Sequence, residues 1–140
     1  MKGRCLQVNA SIIRGIDVQG RLAWAGIALI TLVGLIHLIE APEHLEEATY
    51  LGLLFLANFV GAAAAAVGIY RGRGSGWGLG FLIAGSAFAG YVISRTTGLP
   101  GMPVEEWLEP LGIFSLLIEG LFVGLYLRIS ARRRTPVGSR

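Results

Sequence analysis

Charged residues are scarce in this chain and are confined to short stretches. Only 15% of its 140 residues are Asp, Glu, Lys or Arg, whereas 54% are hydrophobic. Soluble domains carry about 25% charged residues. Together with the mean hydropathy of +0.64, this composition excludes an ordinary soluble domain and favours a chain that lies mostly in lipid.

Cysteine and histidine are also scarce, which limits the disulfides, metal clusters and haem sites that the chain can form. The single cysteine, Cys5, excludes an internal disulfide and a thiolate metal cluster. His37 and His44 are the only histidines, so the paired intramembrane histidines of a b-type haem protein are missing. The sequence also has no P-loop, dinucleotide-binding, kinase or hydrolase signature.

Long apolar runs, in contrast, are abundant. Four of them each have close to the ~20 residues that a helix needs to cross a hydrocarbon core of roughly 30 Å. Because a backbone in lipid must satisfy its own hydrogen bonds, we expect helices rather than open strands. The predicted spans are residues 22–40, 50–70, 77–94 and 111–128. The sequence therefore predicts an all-α membrane protein, a four-transmembrane-helix bundle. Its predicted parts are a cytoplasmic or interfacial N-terminal segment (residues 1–21), the transmembrane domain (22–128) and a basic cytoplasmic tail (129–140).

The charges are sorted by sign between the connecting stretches. Two stretches hold nearly all the acids: Glu40, Glu43, Glu46, Glu47, Glu105, Glu106 and Glu109. The other three hold nearly all the bases: Lys2, Arg4, Arg14, Arg21, Arg71, Arg73, Arg128, Arg132, Arg133, Arg134 and Arg140. The Lys/Arg bias predicts a plasma-membrane protein with both termini in the cytoplasm and acidic loops outside. It also accounts for the net charge of +3, so we expect the lipid bilayer, and no nucleic acid, as a partner.

Small residues recur along the spans at helical spacing. Gly120 and Gly124 in the fourth span, like Ser86 and Gly90 in the third, form small-xxx-small patterns that allow close helix approach. We expect them to serve packing within the chain. A face for a homo-oligomer or a larger membrane complex is the alternative.

The end of the first span carries a repeat of histidine and glutamate. His37, Glu40, His44 and Glu47 are spaced so that they share one stripe of a continuous helix. Two imidazoles and two carboxylates are a ligand set for a divalent metal such as zinc, iron, manganese or copper. Pro42 interrupts the repeat and either breaks the helix or starts a second one. A solvated acidic loop is the alternative to a metal site.

Glu119 stands alone among apolar residues in the fourth span. Nine residues after Pro110, it lies about 13 Å along the helix, near the middle of the membrane. A carboxylate at that depth is costly unless it is paired, protonated or hydrated. Asn58 and Ser86 have matching depths in their own spans, which predicts an intramembrane polar group of Glu119, Asn58 and Ser86. The alternative is a neutral Glu119 that hydrogen-bonds Asn58 and only joins helices.

Arg95 is the one base among the acids. We expect an ion pair with an acidic neighbour such as Glu109, which would lock the loops. An anion or headgroup clamp is the functional alternative.

Three strings resemble a known group: HLIEAPEHLEEATYLGLLFLANFVG (37–61), YVISRTTGLPG (91–101) and EEWLEPLGIFSLLIE (105–119). They resemble uncharacterised small four-helix membrane proteins of bacteria, chiefly actinobacteria. The resemblance covers about residues 22–128 and implies a topology but no mechanism.

These features favour a non-enzymatic binding or accessory subunit with a divalent metal at its extracytoplasmic His/Glu residues. A proton- or cation-coupled small transporter that uses Glu119 is the first alternative. A quinone- or haem-linked subunit of a membrane oxidoreductase is the second.

Overall fold

The protein is a bundle of four helices. The computed structural model describes the backbone of residues 2–134 and the side chains of residues 19–132. The helices are α1 (Lys2–Glu47), α2 (Thr49–Tyr70), α3 (Gly74–Thr96) and α4 (Pro110–Arg134), and this part of the chain contains no strand. The predicted all-α fold is therefore confirmed.

Each helix contains a segment that is long and apolar enough to cross a membrane. The shortest of the four segments, Thr49–Tyr70, has 22 residues, which corresponds to about 33 Å of helix and exceeds the roughly 30 Å of a hydrocarbon core. The length and apolar composition of its four helices are those of a multi-pass membrane protein.

Helix α1 extends beyond the predicted first span at both ends. It begins at Lys2, so the N-terminal segment continues directly into the span, and it runs through Pro42 to Glu47. Proline removes one backbone donor and leaves a carbonyl unpaired. Pro42 is exposed and lies close to the helix end, where solvent can satisfy that carbonyl. Both expectations for Pro42, a break in the helix and the start of a second helix, are therefore wrong, because α1 is continuous through this residue.

The other end of the chain is also more helical than predicted. Helix α4 continues to Arg134, so the first half of the predicted basic tail belongs to it. The remaining residues, 135–140, lie outside the described part of the chain, as do the side chains of Cys5 and the rest of the N-terminal segment up to residue 18.

The connections between the first three helices are short. Only Ala48, in an extended conformation, separates α1 from α2. Residues 71–73 join α2 to α3 in a tight turn, in which Gly72 has a φ of 69° that glycine adopts without a steric penalty. A longer loop, residues 97–109, joins α3 to α4.

The helices form a four-membered ring. α1 packs against α2 and α4, α3 packs against the same two helices, and α2 lies diagonally opposite α4. The core of buried apolar side chains comprises Ile30, Val33, Ile36, Ala62, Ala65, Ile69, Trp77, Ala84, Ile118 and Phe122. We call the end with Glu47, Thr49 and residues 97–109 the acidic end, and the end with residues 71–73 the basic end.

Glycines permit close contacts inside the bundle, but not where the small-xxx-small patterns predict. At Gly68 and Gly76 the backbones of α2 and α3 touch, since a Cβ atom on Gly76 would lie 2.5 Å from the carbonyl carbon of Gly68. By contrast, a Cβ atom on Gly90 or Gly124 would meet nothing within 4 Å. Packing within the chain, the expected role of those patterns, is therefore wrong for these two glycines.

Candidate functional site

A carboxyl group and an imidazole are buried side by side in the bundle. Helix α4 places Glu119 in the interior with only 2% of its surface exposed, and α1 contributes His37, which is 7% exposed. The Nε2 atom of His37 lies 3.9 Å from Oε1 of Glu119. The sequence analysis assigned His37 to the His/Glu repeat and Glu119 to a separate polar group, and the structure brings the two side chains next to each other.

Hydrogen bonds fix the protonation pattern of this pair. The Nδ1 atom of His37 lies 2.9 Å from the backbone oxygen of Val33. Because a carbonyl only accepts, Nδ1 must carry the hydrogen, and in the neutral ring Nε2 then carries the lone pair. That lone pair is on the nitrogen nearest Glu119, so the two side chains are placed to share one proton. The distance of 3.9 Å exceeds a direct hydrogen bond, but it leaves only a small movement or one bridging water between them.

Glu119 has a second neighbour on its own helix. The hydroxyl of Ser115, one turn earlier, donates a hydrogen bond to Oε1 of Glu119 over 2.8 Å. Ser115 is itself 5% exposed. One carboxyl oxygen is therefore held by a fixed donor, whereas the other remains available.

Two buried oxygen atoms have no hydrogen-bond partner among the described residues. They are Oε2 of Glu119 and Oδ1 of Asn58, on helices that face each other diagonally across the bundle. The predicted contribution of Asn58 to a buried polar group is consistent with its 9% exposure. The described residues show no Glu119–Asn58 hydrogen bond, and α2 and α4 are not among the helix pairs in contact. An unpaired buried acceptor costs about 1–3 kcal/mol.

Ser86, the third predicted member of the polar group, is not part of it. Its side chain is exposed and donates to the backbone oxygen of Ile83 over 3.0 Å. Ala84, two residues earlier, is the buried residue of this turn. Two residues correspond to more than half a helical turn, so Ser86 faces away from the bundle. A matching depth was therefore not enough to predict the facing direction.

The His/Glu repeat of α1 does not come together as one ligand set. His44 Nδ1 pairs with Glu47 Oε2 at 2.9 Å, whereas His37 turns inward to Glu119 and Glu40 is half-buried. Both imidazoles pack against the ring of Phe55, with centroid distances of 4.8 Å for His37 and 4.2 Å for His44.

The stripe that the spacing predicts therefore exists, because both rings reach the same phenylalanine. Among the described residues, no group of three or more His, Cys, Asp or Glu side chains is placed to hold a metal ion. Metal binding by His37, Glu40, His44 and Glu47 stays a prediction.

Arg95 anchors the acidic end of the bundle. Its Nη1 atom lies 2.6 Å from Oε2 of Glu105, and its Nη2 atom lies 2.6 Å from Oε2 of Glu109. The predicted Arg95–Glu109 ion pair is thus present. A third hydrogen bond joins Nε to the backbone oxygen of Glu106. These contacts bind the 97–109 loop to the end of α3. They also occupy the Arg95 guanidinium, which an anion or headgroup clamp would need to have free.

Aromatic and backbone contacts complete this attachment. The guanidinium carbon of Arg95 lies 3.7 Å from the ring centroid of Tyr91, a cation–π geometry. The Tyr91 hydroxyl donates to the backbone oxygen of Trp107, and the Tyr50 hydroxyl donates to that of Pro100. The loop is therefore fastened to both α2 and α3.

Three contributors to this region were missed from the sequence. Phe55 sits between the two imidazoles, and the Val33 carbonyl orients His37. Gly112 lies under Tyr91, where a Cβ atom would come within 2.6 Å of the ring. Of these three contributors, only the Val33–His37 contact could have been predicted from the sequence, because residues four apart lie on the same face of a helix.

Comparison with protein-family models, with curated proteins and with solved structures finds no match to this chain. The geometry of the bundle is therefore what supports a functional proposal.

Proposed function

We propose that this protein is a small proton-transporting membrane protein in which Glu119 and His37 take up and release the transported proton. The observation that carries the proposal is the burial of Glu119 at 2% exposure with the free nitrogen of His37 3.9 Å away. Ionisable residues at membrane depth are expensive, and they mark ion and proton pathways.

The pair has two electrically different states that suit this task. In one state the proton resides on Glu119 and both groups are neutral, and in the other it resides on His37 and the groups form an ion pair. Ser115 donates to Oε1 in either state. The oxygens of Glu119 and Asn58 that lack a partner among the described residues would accept a hydrogen bond from a water or from the acid, which gives the proton a polar neighbour inside an apolar bundle.

The orientation in the membrane is part of the proposal. The Lys/Arg bias supports a plasma-membrane protein with the basic end in the cytoplasm and the acidic end outside. His37 and Glu119 are then reached from the outside, past Glu40 and the 97–109 loop. The resemblance to small bacterial four-helix proteins implies the same topology.

The test is proton flux in liposomes that contain the purified protein and a pH-sensitive dye. With an inward-negative potential imposed, we expect acidification in wild-type liposomes and none above the protein-free level for Glu119→Gln. Glu43→Gln is the matched control, because Glu43 is an exposed carboxylate at the acidic end, and its flux should equal that of wild type. Wild-type flux at the protein-free level, or full flux in Glu119→Gln, would refute the proposal.

A second measurement does not depend on transport. Infrared difference spectra between acidic and alkaline buffer should contain the band of a protonated carboxyl group that titrates in wild type and is missing in Glu119→Gln. Equal melting temperatures of the two proteins show that the comparison is between folded proteins. A titrating band that survives in the variant would assign the proton to another residue.

Metal binding at the acidic end is the second candidate, and one contact favours it. Metal-ligating histidines commonly give their other ring nitrogen to a carboxylate, as His44 Nδ1 does with Glu47 at 2.9 Å. The Nε2 atom of His44 would then be one ligand of a divalent metal at the acidic end. Elemental analysis of untagged protein should find a divalent metal near one equivalent, and the metal should be lost in His44→Gln. Metal-free wild-type protein would rule the candidate out.

A further inference from the structure

A groove with a volume of about 560 Å³ lies between α2 and α3 at the basic end of the bundle. Its walls are made by small and apolar residues of both helices, among them Ala63, Ala64, Val67 and Leu79. The groove exists because α2 and α3 touch at Gly68 and Gly76, which leaves no side chain to fill the surface beside the crossing.

The polar end of the groove carries two cations and a hydroxyl. Arg71, Arg73 and Ser75 line it there, and all three residues are exposed. The described residues offer neither arginine a carboxylate, because the described ion pairs involve only His37, His44 and Arg95 as partners of the acids. The positive charge at this point is therefore uncompensated within the described chain.

Aromatic residues place this end of the groove at the level of lipid headgroups. Trp24 and Tyr70 pack edge to face with ring centroids 6.2 Å apart, and they are 63% and 71% exposed. Exposed tryptophan and tyrosine rings favour the interface between hydrocarbon and water. Tyr70 directly precedes Arg71, so the arginines stand at the height of the phosphates and the apolar walls lie at the height of the acyl chains.

We propose that this groove is a binding site for an anionic phospholipid. One acyl chain would lie along the apolar walls, and the headgroup phosphate would meet Arg71, Arg73 and the Ser75 hydroxyl. Basic pockets between membrane helices bind anionic headgroups in this manner. The apolar walls continue below the arginines, which favours a lipid over a free phosphate, since a free phosphate would leave them without a partner.

The site is independent of the proton pathway. Its residues lie at the basic end, whereas His37 and Glu119 lie in the half of the bundle nearer the acidic end, and none of the groove residues contributes to that pair. The proposal also holds for either orientation in the membrane, because it depends on charge and shape alone.

The experiment is native mass spectrometry of the full chain in detergent, titrated with phosphatidylglycerol or with phosphatidylcholine of the same acyl chains. We expect wild-type protein to bind phosphatidylglycerol about 25-fold more tightly than phosphatidylcholine, from about fivefold for each of two basic side chains. The double variant Arg71→Gln/Arg73→Gln should lose this preference. Arg128→Gln is the matched control, since Arg128 is an exposed arginine of α4 outside the groove, and it should keep the preference.

Two further arms separate the lipid from its alternatives. Ala64→Leu should weaken phosphatidylglycerol binding with both arginines intact, because Ala64 lines the groove and a larger side chain would fill it. Inorganic phosphate at millimolar concentration should leave the lipid bound. Equal affinity of wild type for both lipids, an unchanged preference in the double variant, or displacement by phosphate would overturn the proposal.

Discussion

Arg95 and Glu109 form an ion pair, Nη2 to Oε2 at 2.6 Å, that joins the last turn of α3 to the residue preceding α4. The backbone oxygen of Glu109 also accepts a hydrogen bond from the Ile113 N–H in the first turn of α4. The intervening loop is therefore fastened at its far end by a side chain from the helix before it. Since Arg95 is buried, this contact is a structural element of the acidic end.

Replacing Arg95 should destabilise the protein strongly. Removing one partner of a buried ion pair costs about 3–5 kcal/mol. Glu109 is 55% exposed, so solvent screens part of the interaction, and we expect about 2–3 kcal/mol for Arg95→Gln. Thermal unfolding in detergent measures this as a lower melting temperature. Arg128→Gln provides the control, and an equal effect of the two substitutions would contradict the assignment.

Substituting two glycines of α4 by alanine separates the effect of packing on stability from the effect of helix propensity. A Cβ atom on Gly112 would lie 2.6 Å from the Tyr91 ring and 3.3 Å from Nη2 of Arg95, whereas one on Gly124 would meet nothing within 4 Å. Overpacking typically costs about 1–3 kcal/mol. Gly112→Ala should therefore lower the melting temperature, and Gly124→Ala should leave it unchanged or raise it. A neutral Gly112→Ala would show that the loop and Tyr91 yield easily.

Replacing Asn58 by leucine should raise the stability of the protein and lower its proton flux. Its Oδ1 atom is buried without a partner among the described residues, so Asn58→Leu should stabilise the protein by about 1–2 kcal/mol. The same change should slow proton flux in liposomes, because the pathway loses a polar group beside the bundle axis. Ala57→Leu is the control, since the neighbouring Ala57 is exposed. A destabilised Asn58→Leu protein would mean that the amide has a partner such as a bound water.

The orientation can be tested with single cysteines. In a Cys5→Ser background, Glu106→Cys lies in the 97–109 loop and Ser75→Cys near the opposite end, and both positions are exposed. A membrane-impermeant maleimide should label Glu106→Cys in intact cells and Ser75→Cys only in inside-out vesicles. The reversed pattern would place the acidic end in the cytoplasm.

The sequence predicted the four-helix architecture well for a clear physical reason. In lipid, an apolar run of sufficient length has to satisfy its backbone hydrogen bonds internally, so composition and length decide the fold class and the approximate spans. Pro42 was harder to interpret, because its cost depends on whether the unpaired carbonyl reaches solvent. The helix passes through it to Glu47.

The sequence predicted which side of its helix a residue occupies only where exposing that side chain would cost much free energy. Glu119 and Arg95 carry charges whose placement in lipid or without a partner is costly, and both are buried with partners. Ser86 is a small polar residue that satisfies its hydroxyl on its own helix, so nothing in its chemistry fixed the face that it occupies. The same applies to Gly90 and Gly124, which are as compatible with lipid as with a neighbouring helix.

The sequence by itself therefore determined the number of helices, the sorting of charge between their ends and the presence of an anomalous intramembrane carboxyl group. These properties follow from the free energy of transferring each residue from water to lipid, which depends on the residue type and can therefore be read from the sequence. Only the tertiary structure decided that His37 rather than Asn58 or Ser86 stands beside Glu119, and that Gly68 and Gly76 open a groove next to Arg71. Such contacts depend on the rotation of one helix against another, and that rotation is set by the packing of all four helices together.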